Sequence, residues 1–179
     1  MRAERWKPSV TVAAIIEKDG RYLMIEEMTR DGLRINNPAG GLEPGESIVE
    51  GAIREALEET ACRFTPEALL GVYLARNPDT PAGRGVTYLR FALCGTAGDP
   101  EPGRPLDDPI VRTLWMTADE IAAAGDRLRG PLVLQCIADH RAGKRLPLDT
   151  LYTHPRVARP DPSTATAEPD GGEGSGLQT

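Results

Sequence analysis

Apolar and polar residues come in short blocks along this chain, and the period changes from one block to the next. Val10 to Ile16 and Tyr22 to Glu26 are β-rich runs separated by Asp19-Gly20, a dipeptide that favours a tight hairpin turn; they predict two antiparallel strands. Asn36 to Gly45 is rich in Gly and Pro and predicts a long loop. Ser47, followed three residues later by Glu50, forms a capping box that opens a helix running to about Thr60, with Ile48, Ala52, Ile53 and Leu57 supplying an apolar face. Leu69 to Ala75, Tyr88 to Cys94 and Thr113 to Met116 read as strands. Thr117 with Glu120 is a second capping box, opening a short helix that ends near Ala124. A last helix starts at Pro131, which the first turn tolerates, runs to Arg141 and closes at Gly143. Helices interleaved with hairpin-joined strands predict an α/β sandwich with a mixed sheet.

Length and composition narrow this further. The chain has 179 residues, enough for one core and too short for two comfortable ones, with 40% hydrophobic and 27% charged residues. No apolar run approaches the roughly 20 residues a membrane span needs, and Val10 to Ile16 meets Glu17-Lys18-Asp19 where a secretory signal would show small residues. From Arg159 onward the chain is Pro-, Gly-, Ser- and Thr-rich and has too little apolar content to offset ordering, so a single folded domain over 6–152 and a disordered tail over 159–179 are expected.

A net charge of −6 argues against general affinity for nucleic-acid backbones and suggests that a metal mediates any contact with an anionic ligand. Cys62, Cys94 and Cys136 are odd in number, far apart and set among apolar neighbours, which speaks against a disulfide framework and for a reducing cytoplasm. With only His140 and His154, both read as surface residues, a His-rich metal site or a Ser-His-Asp triad has little to build on.

The chemistry concentrates on the first helix. Glu55 lies beside Glu58 and Glu59 at helical spacing, in the C-terminal half where the helix dipole also disfavours carboxylates. A divalent cation would remove both penalties, and hard oxygen ligands without Cys or His point to magnesium or manganese. On spacing alone, however, these glutamates read as a solvated acidic face balanced by Arg54.

The spacing does not stand alone. Gly40, Glu46 and the run Arg54-Glu55-Ala56-Leu57-Glu58-Glu59-Thr60-Ala61-Cys62 resemble the Nudix hydrolase box, G-x5-E-x7-R-E-U-x-E-E-x-G-U with U aliphatic. Ala61 stands where the box has glycine, at a helix-ending position that favours left-handed backbone. The resemblance extends over about Trp6 to Leu151: Trp6-Lys7-Pro8, Pro38-Ala39-Gly40, Leu89-Arg90-Phe91, Trp115 to Ile121 and Pro131-Leu132-Val133 are similar to the NudJ branch of the family.

That resemblance implies a Nudix-type α/β/α sandwich and a magnesium- or manganese-dependent phosphohydrolase. Such an enzyme cleaves phosphoanhydride bonds of nucleoside di- or triphosphates or of thiamine-type pyrophosphates with metal-activated water. It places Glu55, Glu58 and Glu59 as metal ligands with a backbone carbonyl of Ala39 or Gly40, Glu46 near the metal, and Arg54 orienting the carboxylates. Asp107 and Asp108 are either a loop acid that accepts a proton or ordinary turn residues. Arg90, on the strand face opposite Phe91, and Arg76 are candidates to hold phosphates or base, with a solvent-exposed position equally open for Arg76; Trp115 reads as core. The implied partner is a small phosphoanhydride substrate, with neither nucleic acid nor membrane, and the chain as monomer or homodimer. Two further readings are an ADP-ribose or nucleoside diphosphate-sugar pyrophosphatase, for which Pro78 is a weak signal, and a non-catalytic nucleotide-sensing domain, against which the intact glutamates speak.

Overall fold

Apart from Thr11, the run Val10 to Ile16 is apolar at every position, and the computed structural model of the chain shows why: both faces of the strand built on it are covered. The structure describes residues 6–77 and 85–157; the expected tail over 159–179 and Pro78 lie outside them. Strand β1 (Ser9–Lys18) turns through Asp19 and Gly20, both at positive φ, into β2 (Arg21–Thr29), as the turn dipeptide predicts. Then follow β3 (Gly32–Asn36), β4 (Ala39–Gly41), helix α1 (Ile48–Thr60), β5 (Phe64–Asn77), β6 (Val86–Ala97), β7 (Ile110–Thr117), α2 (Ala118–Ala123) and α3 (Pro131–Arg141).

The strands form a mixed sheet in the order β3-β2-β1-β6-β5, with β4 paired to β1 and β7 to β2. Among the described strands only β1 and β6 run parallel, Thr11 opposite Arg90 and Val12 opposite Phe91. On one face Val12, Ala14, Ile16, Leu23 and Leu93 pack against Ala52 and Ala56 of α1. On the other, Ala13, Ile15, Met24, Ala92 and Cys94 pack against Ile121 of α2 and Val133, Cys136 and Ile137 of α3. The result is the expected α/β/α sandwich, and alternate residues of β1 feed two separate cores. Both capping boxes form, at Ser47/Glu50 and Thr117/Glu120.

Four expectations need correction. Gly32–Asn36 is a strand that no local signal marked, and Ala39–Gly41, expected as loop, is a strand too. Ala-Gly-Gly has no β propensity of its own; it is extended because β1 offers an edge between Thr11 and Ala13. Trp115 is 40% exposed rather than core: opposite Leu23 on β7, it lies at the margin beside Lys18, Arg21 and Asp99. His140 is half-buried, hydrogen-bonded through Nδ1 to the Tyr22 hydroxyl at 2.9 Å. The three cysteines are buried and free.

Ala61 ends α1 at φ 58°, ψ 10°, its N–H donating to the Leu57 carbonyl, so the backbone takes the left-handed turn that glycine serves in the box. Ala61→Gly should raise the denaturant midpoint by the equivalent of up to about 1 kcal/mol, because relief of left-handed strain exceeds the loss of one buried methyl. A lowered midpoint would contradict this.

A buried carboxylate ties the far side of the sheet together. Glu26, 2% exposed, accepts from Arg112 Nε at 2.7 Å and Arg127 Nη2 at 2.5 Å, joining β2, β7 and the turn after α2. The hydrogen bond from Arg112 holds its carboxyl below the usual range, against the opposing effect of burial. A depressed folded-state pKa means stability that is present above the unfolded carboxylate value and lost as pH falls through the folded one. Glu26→Gln should therefore destabilise by about 1–3 kcal/mol at pH 7, and the gap between the two proteins should close in melts below about pH 3. A gap that persists at low pH would show that the effect is packing rather than charge.

Candidate active site

Helix α1 is aimed by its first turn. The Ser47 hydroxyl accepts from the Glu50 N–H at 3.1 Å and the Glu50 carboxylate accepts from the Ser47 N–H at 2.8 Å. With Ala52 and Ala56 fixed against the sheet, Arg54, Glu55, Glu58 and Glu59 fall on the flank that faces β4.

Arg54 is the centre of this flank. Its Nε and Nη2 reach the two oxygens of Glu46 at 2.9 and 2.8 Å, a bidentate pair, while Nη1 donates to Glu55 Oε1 at 2.9 Å and Glu58 Oε2 at 3.0 Å. Nη2 also donates to the Gly41 carbonyl at 2.9 Å. Glu46 in turn accepts from the Glu43 N–H at 2.7 Å, and Glu59 Oε2 accepts from the Ala39 N–H at 2.7 Å.

These contacts leave an unequal charge balance. Hydrogen bonding from Arg54 holds the Glu46 carboxyl low. Burial pushes Glu55 up despite the same guanidinium. Burial pushes Glu59 up to about 9, the Ala39 N–H opposing, with repulsion from Glu55, Glu27 and Asp107 adding to it. Among the described residues no three His, Cys, Asp or Glu side chains are gathered as a ready cation cage; Arg54 takes up Glu46, Glu55 and Glu58 instead.

The donor set nevertheless fits a hard divalent ion. Glu55, Glu58 and Glu59 offer carboxylate oxygens only, and two of them are held where ionisation is costly without a cation. Gly40 makes the space: a Cβ there would fall inside the Glu55 carboxylate.

Beside β4 opens a cleft of about 460 Å³ between the start of α3 and strands β1, β5 and β6. Gly40 and Gly41 form one side, and Arg76, Arg90 and Arg129 bring three guanidinium groups to it. Arg129 Nε pairs with Glu27 at 3.3 Å.

The structure therefore brings together Ala39, Glu46, Arg54, Glu55, Glu58 and Glu59, and places Arg76 and Arg90 in the adjoining cleft. Ala39 meets Glu59 through its N–H. Asp107 is exposed but anchored on α1, its N–H donating to the Glu58 carbonyl at 2.9 Å, close enough for its charge to reach Glu59. Thr11, Glu27, Asn36 and Arg129 line the cleft without having been marked by sequence. Glu27 and Arg129 meet across most of the chain, and no linear pattern records that.

A fold with helices on both faces of a mixed sheet, and a glutamate row held by one arginine against a glycine strand, defines a class of hydrolase. The NUDIX domain model matches residues 5–135, and the chain belongs to that family. Phosphatase NudJ of Escherichia coli K12 is 35% identical over 147 residues, covering 82% of this chain and 92% of that protein. A NUDIX hydrolase from Nitrosomonas europaea superposes with a TM-score of 0.76 at 50% identity, covering 83% of this chain and 98% of that one. The MutT protein of Methanosarcina mazei shares the fold at 21% identity, with a TM-score of 0.59, covering 78% of this chain and 98% of that one.

Gly40→Ala tests the cradle. It should lower turnover by at least about tenfold, since it displaces Glu55 from its position, whereas Gly41→Ala, whose Cβ meets open space, should cost far less. Equal effects of the two, measured as kcat alongside melting temperature, would remove Gly40 from the site.

Proposed function

We propose that this protein is a magnesium- or manganese-dependent phosphohydrolase that cleaves a phosphoanhydride bond of a nucleoside di- or triphosphate or a thiamine-type pyrophosphate. The observation that carries this reading is the row of Glu55, Glu58 and Glu59 on α1, with Glu55 against Gly40 and Glu59 on the Ala39 N–H, Ala39 and Gly40 themselves lining a cleft that also holds Arg76, Arg90 and Arg129. Glu55, Glu58 and Glu59 would hold the ion, whose chemistry is to neutralise phosphate oxygens and lower the pKa of an attacking water. Arg54 keeps Glu55 and Glu58 oriented, and by gripping Glu46 it fastens the loop before α1 to the helix. Arg76, Arg90 and Arg129 supply positive charge in a chain that is acidic overall, suited to phosphates that are not transferred. Asp107, whose N–H bonds the Glu58 carbonyl and whose charge reaches Glu59, is the loop acid that would accept a proton from the attacking water.

Hydrolysis should depend strictly on magnesium or manganese, and Glu58→Gln should lower kcat by at least about 100-fold while leaving the melting temperature within a few degrees. The assay is a panel of nucleoside di- and triphosphates, ADP-ribose and thiamine diphosphate, with orthophosphate and pyrophosphate release read separately. Activity retained in excess chelator, or a Glu58→Gln enzyme within a few-fold of the parent, would overturn the assignment.

A further inference from the structure

Residues 98–109 join β6 to β7, and none of them is buried: Glu101 and Leu106 are partly covered and the rest are exposed. A connection without a buried apolar anchor opens at little cost, so polar contacts decide where it lies. Those contacts gather at the C-terminal end of α1. The Gly98 N–H donates to the Arg63 carbonyl at 3.1 Å, the Glu101 N–H to the Ala61 carbonyl at 2.8 Å and the Asp107 N–H to the Glu58 carbonyl at 2.9 Å. The last turn of a helix leaves its carbonyls without partners inside the helix, and here the connection supplies donors to Glu58 and to the cap residue Ala61.

Glu101 braces this docking with its side chain. Oε1 pairs with Arg63 Nη2 at 2.7 Å, and Oε2 accepts from Arg104 Nη1 at 3.2 Å. Arg63 directly follows the box run, whereas Arg104 belongs to the connection itself, its N–H turned back to the Glu101 carbonyl at 3.2 Å. One carboxylate thus ties the segment leaving α1 to two points of the connection. The other ion pair here, Lys18 with Asp99 at 3.9 Å, joins two exposed side chains and adds little.

We infer that Glu101 is a positioning residue: by bracing the connection between β6 and β7 across the end of α1, it keeps Asp107 anchored at the Glu58 carbonyl. This rests on the phosphohydrolase reading, in which Asp107 accepts the proton of the attacking water. An ion pair whose arginine is as exposed as Arg63, at 76%, contributes little to global stability. Its effect falls instead on the local opening of the connection, where no buried side chain competes with it. Opening carries the Asp107 carboxylate away, and a misplaced proton acceptor lowers kcat while leaving substrate binding intact.

The test uses two variants of the full-length protein. Glu101→Lys sets a third cation against Arg63 and Arg104, and Glu101→Gln keeps the shape but loses the charge. Hydrogen exchange of the Asp107 amide, read by mass spectrometry, should be about fivefold or more faster in Glu101→Lys, with the melting temperature within a few degrees of the parent. On the best substrate of the phosphoanhydride panel, kcat should fall about fivefold or more with KM within about twofold, and Glu101→Gln should lie between parent and Glu101→Lys. Combined with Asp107→Asn, Glu101→Lys should lower kcat by no more than about a further twofold, because both act through one group. Unchanged Asp107 exchange, a kcat loss that multiplies with that of Asp107→Asn, or a raised KM at constant kcat overturns the inference. Should Glu101→Lys fail to fold, Glu101→Gln decides on the same readouts. An Asp107→Asn enzyme with the parent's kcat would sink the positioning role and leave metal-dependent hydrolysis standing. A parent that hydrolyses nothing on the panel would sink the phosphohydrolase reading, and the Asp107 exchange would then decide the brace by itself.

Discussion

One guanidinium makes the arrangement of this site possible. Glu55 and Glu58 share a helix flank with Glu59, Glu46 approaches from the preceding loop, and like charges at such spacing repel. Arg54 meets three of the four carboxylates and a carbonyl of β4 with one planar group, which lysine, a point charge on a flexible stem, cannot match. Because its partners belong to the loop, the helix and the strand, the same contacts that balance charge also fix α1 against β4.

Arg54 does not reach Glu59. That carboxylate accepts from the Ala39 N–H, which does not offset its burial, so ionisation there is costly. Strongly shifted groups concentrate where proteins do chemistry, and here the shift has a structural origin in the close approach of α1 to a strand with almost no side chains. Gly40 allows that approach; any larger residue would push Glu55 away. The apolar contacts of Ala52 and Ala56 beneath hold the strained charges in place.

The cleft beside this row follows from how β1 is shared. β1 pairs with β2 only near the hairpin, at Glu17 and Lys18, and further back its partner on that side is β4. Gly40 and Gly41 thereby come to lie on one side of Thr11, with Arg90 of β6 on the other. Charges brought by β2, β6 and the segment before α3 then meet over the sheet, and Glu27 fixes both Arg129 and Asn36.

Much of this was legible in the sequence because it is local. Capping boxes, the Asp19-Gly20 turn and the left-handed ending at Ala61 depend on a few neighbouring residues, and the charged box positions lie within two turns of one helix. What tertiary structure alone decided is where that helix flank points and what it meets. Ala39 to Gly41 became a strand because β1 had a free edge, Trp115 was left at a margin that the cores do not reach, and the cleft wall assembled from residues far apart in the chain. Local patterns fix backbone states through near-neighbour sterics and hydrogen bonds. Which side chains face one another across a sheet is set by strand order and register, and no short stretch of sequence carries that information.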